Sequence, residues 1–302
     1  MLNNKKFATV FICMGLIAIA AALVVSVLFP SAYSTSVPKA LDEAVARSIF
    51  TDVNVSPTDT TIDGKAYRYV AVTDTEEFYN SECLGEGHII LGNNVKDGTV
   101  EVYALCSLAG YGFRNGMLVD NTGSSSVPTL ITFEKTDSGE YIYKDTLHSE
   151  DGGHFASSVR AMFPAALAEK AISAQGDEKI HASLQQQCDE YAAAYLKVLG
   201  RDAKISSYRK QNFKMLSDHG VSADVENKLC ELHREYGFYL GNFEKLEQDG
   251  RYVYSMLWDG DDNGSGTVTY TKSRYDTDEV VEKFSYQVEG EKFSKIKKKK
   301  KK

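Results

Sequence analysis

Apolar positions along this chain follow three patterns: one unbroken run, stripes at three- and four-residue steps, and strict alternation. The unbroken run comes first. Residues 7–29 contain no charged side chain, and Pro30 follows them. Twenty-three residues at ~1.5 Å rise give about 35 Å, enough to cross a hydrocarbon core of about 30 Å. After a short polar linker, Leu41, Val45 and Ile49 fall at four-residue steps and predict a helix. Residues 67–72, 88–91 and 100–105 then become rich in β-branched and aromatic side chains, as strands are. Lys96-Asp97-Gly98 marks a turn between the last two. Further strands are predicted at 117–119, 130–133 and 141–143, with Asp137-Ser138-Gly139 closing a hairpin, so this stretch reads as an antiparallel meander.

Helical spacing returns at Phe155, and Pro164 is placed to open a new helix. Ile180, Leu184, Cys188, Tyr191, Tyr195 and Leu199 repeat at three- and four-residue steps and stop at Gly200. Val225, Leu229, Leu232 and Tyr236 predict one more helix, and residues 252–258, 267–270 and 284–288 alternate as half-buried strands do. These patterns give an α+β fold: an N-terminal membrane helix followed by antiparallel sheets with packed helices. The expected organisation is an anchor or signal segment over 1–34, an extracytoplasmic α+β domain over 35–205, a second α+β unit over 206–296 and a lysine tail over 297–302.

Charge refines the placement. The chain of 302 residues has a formal net charge of −8. Lys5, Lys6 and the six lysines from 297 to 302 carry eight positive charges, which leaves −16 for the part between. An acidic body disfavours nucleic acid as a partner. Lys5 and Lys6, with no acid before the apolar run, keep the N-terminus cytoplasmic and send the bulk of the chain out. The expectation is a single-pass protein held in the membrane by residues 7–29. Ala32-Tyr33-Ser34 has the form of a signal-peptidase site, so secretion after cleavage near Ser34 is the alternative. Outside the membrane, Cys83, Cys106, Cys188 and Cys230 have two readings, disulfides or small buried hydrophobes. No pair is spaced as C-x-x-C.

The sharpest local motif is Asp259-Gly260-Asp261-Asp262-Asn263-Gly264. Asp259, Asp261 and Asn263 present oxygens at alternate positions, and a glycine stands sixth, as in the first half of a calcium loop. The twelfth position is Tyr270 where a bidentate Glu belongs, and the flanks are strand-like. An acidic hairpin turn explains the same residues. His148 and His154 bracket Glu150 and Asp151, a group able to hold a metal or move protons, although Gly152 and Gly153 also suit an exposed turn. His88 near Cys83, Glu82 and Glu86 offers a base beside a thiol, with structural packing as the plainer account. Tyr103, Tyr111, Phe113, Tyr141 and Tyr143 fall on the first sheet, where aromatics either stack on ligands or fill the core. The sequence has no Gly-x-Ser-x-Gly, no P-loop, no Gly-x-Gly-x-x-Gly after a strand and no His-Glu-x-x-His. No catalytic residue is assigned.

Several segments carry a resemblance. They are His88-Ile89-Ile90-Leu91-Gly92, residues 110–116, Thr122-Gly123-Ser124-Ser125-Ser126-Val127-Pro128, Ile131-Thr132-Phe133-Glu134-Lys135, Glu150-Asp151-Gly152, and Ser158, Val159, Phe163 and Pro164. Over roughly residues 65–200 the chain resembles an extracytoplasmic C-terminal domain of clostridial and related Gram-positive bacteria. That domain is attached to membrane metallopeptidases of the β-lactam-sensing antirepressor type, and is also found alone behind one anchor. The peptidase region of those proteins and its zinc motif are missing here, so the resemblance implies an exported domain and passes on no catalytic role. Residues 205–296 lie outside it. The function expected from all of this is binding, as a sensor or accessory protein of the cell envelope with an envelope protein as partner. The alternatives are a secreted envelope hydrolase and a calcium-stabilised adhesion module.

Overall fold

The computed structural model of the protein describes residues 37–72, 81–123 and 125–296. The expected membrane segment at 7–29 and the lysine tail lie outside the described residues. No helix among the described residues is long and apolar enough to cross a membrane.

The protein is α+β, with thirteen strands and five α-helices among the described residues. The helices are α1 (Lys39–Asp52), α2 (Phe155–Met162), α3 (Ala165–Ser173), α4 (Glu178–Leu199) and α5 (Ala223–Leu232). The first seven strands are β1 (Thr58–Ile62), β2 (Lys65–Ala71), β3 (Cys83–Lys96), β4 (Thr99–Arg114), β5 (Met117–Asp120), β6 (Val127–Lys135) and β7 (Tyr141–His148). The remaining six are β8 (Ile205–Ser207), β9 (Gly241–Glu247), β10 (Gly250–Gly260), β11 (Ser265–Arg274), β12 (Val280–Glu289) and β13 (Lys292–Lys295). Hydrogen bonding follows the order β1-β2-β3-β4-β9-β10-β11-β12-β13, with β5 and β6 also pairing β4. Neighbours are antiparallel except β5 and β8, which run parallel with Leu118 opposite Ile205.

Turn chemistry sets this register. Asp63-Gly64, Asp97-Gly98 and Asn115-Gly116 each fill a two-residue loop with positive φ at both positions. That is the backbone a type I′ hairpin needs, and Asp, Asn and Gly adopt it at least cost. Both long strands outrun the sequence expectation, β3 starting at Cys83 and β4 ending at Arg114.

Contacts divide the described residues into two units that interleave along the sequence. The first comprises residues 37–45, 88–105 and 127–176, and the second takes the rest, so the boundary expected near 205 falls within the second. In the first unit, the Tyr103 and Phe163 rings meet edge to face at 5.2 Å, and Leu167 of α3 lies over Gly92 of β3.

The second unit holds three apolar clusters. Phe50, Val70, Val72 and Leu84 form one. Cys83, Tyr111, Phe113 and Leu118 form another with Cys188, Ala192, Tyr195 and Leu196 of α4. The third joins Val225 and Leu229 of α5 to Tyr252, Tyr254, Met256, Val268, Tyr270 and Tyr286 of the last strands. Helix α4 starts where Asp177 accepts the Lys179 amide at 2.9 Å and ends at Gly200 with φ of 64°. It approaches β3 so closely that a Cβ on Gly85 or Gly87 would strike the carbonyls of Cys188 or Leu184. Cys83, Cys106, Cys188 and Cys230 are buried and none is joined in a disulfide, which is the packing reading of the two.

Candidate functional site

Most predicted site residues are used by the fold itself. Asp259 lies on β10 opposite Thr267. Asp261 Oδ1 accepts the amides of Asn263 and Ser265, each at 3.0 Å, so this carboxylate closes the β10–β11 turn. Asp262 meets His219 Nδ1 at 2.9 Å, and the Gly264 amide donates to the His219 carbonyl at 2.8 Å. Among the described residues, no group of three or more His, Cys, Asp or Glu side chains is arranged to hold a metal ion.

The histidines are not gathered into one site. His88 Nε2 meets Asp42 Oδ1 of α1 at 3.1 Å, and the hydrogen bond from His88 lowers the Asp42 pKa. Burial, with Glu82 adding to it, pushes the Cys83 thiol well above its ordinary value, which removes the thiolate a nucleophile needs. His148 Nδ1 lies 3.3 Å from Thr129 Oγ1, whereas His154 is exposed just before α2. Of the sheet aromatics, Tyr103, Tyr111 and Phe113 are core, while Tyr141 and Tyr143 are half-buried beside Phe133.

The acidic body has an internal use. Tyrosine hydroxyls donate to carboxylates: Tyr111 to Asp189 at 2.7 Å, Tyr191 to Glu86 at 3.0 Å and Tyr195 to Glu82 at 3.1 Å. Tyr254 donates to Glu247 in the same way. Residues carrying the resemblance have similar work. Asp120 Oδ1 accepts from the Thr122 amide and hydroxyl at 3.0 Å and from the Gly123 amide at 3.1 Å, and the Thr122 hydroxyl accepts the Gly110 amide at 2.9 Å.

Two arginines of the second unit are fully paired. Arg251 forks onto Glu82 at 2.5 and 2.7 Å and reaches Glu244 at 3.0 Å. Arg201 forks onto Glu244 at 2.6 and 2.8 Å, with its guanidinium 3.5 Å over the Phe113 ring. Two acids answer two cations in this buried cluster.

Arg114 is different. It ends β4, and the following Asn115-Gly116 turn is clamped to β9: Asn115 donates to the Asn242 carbonyl at 2.9 Å, and its side-chain oxygen accepts the Asn242 amide at 2.8 Å. That clamp sets Arg114 opposite Phe243. Strand β8, paired to β5, delivers Tyr208 at the start of a 3-10 turn. The Leu240 amide donates to the Lys214 carbonyl at 2.8 Å, joining the segments that carry Phe213 and Tyr239.

The result is a guanidinium in an aromatic frame. Its centre lies 5.2 Å from the Phe213 ring, 5.5 Å from Phe243 and 5.7 Å from Tyr239. Tyr208, Phe213 and Tyr239 also touch one another, with centroids 5.1–5.9 Å apart. No carboxylate among the described residues pairs with Arg114, and its Nε is buried without a hydrogen-bond partner. Burial lowers its pKa, opposed by the phenols of Tyr208 and Tyr239. The Tyr208 hydroxyl is buried and has no well-formed hydrogen bond; burial and then the neighbouring Tyr239 raise its pKa.

None of the residues that frame Arg114 is among the candidates the sequence predicts. A signal was present: residues 203–217 hold Lys204, Arg209, Lys210 and Lys214 and no acid, a basic stretch within the acidic body. Comparison with protein-family models, with curated proteins and with solved structures found no match.

Proposed function

We propose that this protein acts by binding, as an anchored extracytoplasmic sensor or accessory protein of the cell envelope. The observation that carries the binding reading is Arg114, a half-buried cation held by aromatic rings with no carboxylate among the described residues to neutralise it. Elsewhere in the same unit, Arg201 and Arg251 are neutralised internally. Burying a cation without a counter-charge costs stability, and a ligand that supplies the charge is a direct reason to keep one. The placement rests on the uncharged residues 7–29 behind Lys5 and Lys6.

The test is made in intact cells with the full chain tagged at its C-terminus. Added protease is expected to remove the tag from a membrane-bound protein, and cross-linking is expected to capture one envelope component repeatedly. Substitution Arg114→Met is expected to abolish that capture. A tag shielded from protease until lysis would overturn the placement, and capture indifferent to Arg114→Met would overturn the binding role of this site.

A further inference from the structure

We propose that Arg114 and its aromatic frame bind a carboxylate carried on a flat apolar group, such as an aromatic acid. This deepens the binding reading above and rests on it. Three observations determine the class of ligand.

The first is the accessible face of the cation. Arg114 is half-buried, and Nε is its one buried unpartnered nitrogen. The two Nη groups make no hydrogen bond with described residues and are not among the buried atoms, so they reach the surface. Two parallel N–H donors on a planar guanidinium match the two oxygens of a carboxylate.

The second is the frame. Tyr208, Phe213 and Tyr239 are each half-buried, so none of the three residues is closed off from solvent. The adjacent Phe238 is 54% exposed. Rings of this kind accept an apolar or aromatic body by offset or edge contact. They also hold the arginine in one orientation, which lowers the ordering cost of binding.

The third is charge. Lys210 and Lys214 are exposed on the segment that carries Phe213, and residues 203–217 contain no acid. The local field attracts an anion although the body as a whole is acidic. One arginine in an aromatic frame answers one negative charge, which favours a monocarboxylate over a phosphate dianion.

The experiment uses the purified full chain in detergent and three probes: benzoate, neutral benzamide and inorganic phosphate. Benzoate is expected to raise the melting temperature by a few degrees at concentrations well above a dissociation constant of about 1 mM. Benzamide and phosphate are expected to leave it unchanged. The benzoate shift should vanish in Arg114→Met and fall about tenfold in apparent affinity in Arg114→Lys, which keeps the charge and loses the fork.

Arginine side-chain NMR of the wild-type chain supplies a reading that needs no variant to fold. One guanidinium resonance should move with benzoate and stay fixed with benzamide. Equal stabilisation of wild type and Arg114→Met, an effect of benzamide as large as that of benzoate, or no moving resonance would each overturn the proposal. Phosphate acting as strongly as benzoate would overturn the flat-carboxylate class. Failure of any of these probes leaves the cellular capture test intact, so the two readings fail separately.

Discussion

Replacing Arg251 by methionine tests whether the buried four-charge cluster holds the second unit together. Arg251 is 14% exposed in its side chain and neutralises Glu82, which is 1% exposed, through two short hydrogen bonds. Methionine fills similar volume but leaves the Glu82 carboxylate buried, with the Tyr195 hydroxyl still donating to it at 3.1 Å. Leaving a buried charge uncompensated costs about 3–5 kcal/mol. That is a large share of a total stability of about 5–15 kcal/mol. At roughly 2–4 °C per kcal/mol for a chain of this size, the melting temperature should fall by on the order of 10 °C.

Arg201→Met should cost less, about 1–3 kcal/mol, because Glu244 keeps Arg251 at 3.0 Å while the stacking on Phe113 is lost. The decisive arm is the double variant Glu82→Gln/Arg251→Met. The amide removes the orphaned charge and still accepts from Tyr195, so the double variant should be more stable than Arg251→Met alone. Urea unfolding of the wild type, Glu82→Gln, Arg251→Met and the double variant gives the coupling energy. A loss under about 1 kcal/mol for Arg251→Met, or a double variant no better than the sum of the singles, would refute the reasoning.

The other predictions concern packing, pH and the acidic turn. Gly85→Ala and Gly87→Ala should each cost about 1–3 kcal/mol or more, because the new methyl meets helix backbone that cannot step aside. Gly92→Ala should cost less, since it meets a terminal methyl of Leu167 at 2.9 Å and that side chain can turn; chemical denaturation ranks the three. Burial lowers the His233 pKa from its ordinary 6.5, so the unfolded chain takes up a proton first and stability should drop as pH falls from 6.5 through the lowered value. His233→Phe should flatten that part of the profile in melting scans between pH 7 and pH 5, a window set by the ordinary histidine range, and an unchanged slope would count against this source of it. Asp261→Ala should cost about 1 kcal/mol through two lost amide hydrogen bonds, equally in calcium and in chelator; a loss seen in calcium alone would put a metal ion at Asp259, Asp261 and Asn263.

What the sequence shows and what it hides have separate physical causes. Stripes such as Ile180, Leu184 and Cys188 are local, so they reveal α4 together with its stop at Gly200. The strands left unread are β1, β8, β9 and β13. Each is short, and β1 carries Thr58, Asp59, Thr60 and Thr61 in mostly exposed positions, so no apolar alternation marks it. The first residues of β3 are hidden for a different reason. Gly85 and Gly87 ordinarily weaken a strand, yet here they remove the side chains that would keep α4 away. A glycine that breaks a local pattern can therefore mark the closest packing in a fold, and helix proximity is a long-range fact that no window of β3 contains.

The same argument covers Arg114. Its own neighbourhood, Gly112-Phe113-Arg114-Asn115-Gly116, holds an Asn-Gly turn signal and no sign of a ligand site. The rings that frame it come from residues 208–243, about a hundred positions later, through β5–β8 pairing and the Asn115–Asn242 clamp. Histidines and acids stand out as candidates because their chemistry is visible residue by residue. The structure gives them local partners, Asp42 for His88 and backbone amides for Asp261, which use up the groups that made them candidates. A site is better sought where a strong polar group is left over once internal pairing is complete, and by that criterion Arg114 stands apart from Arg201 and Arg251 although all three are arginines in aromatic surroundings.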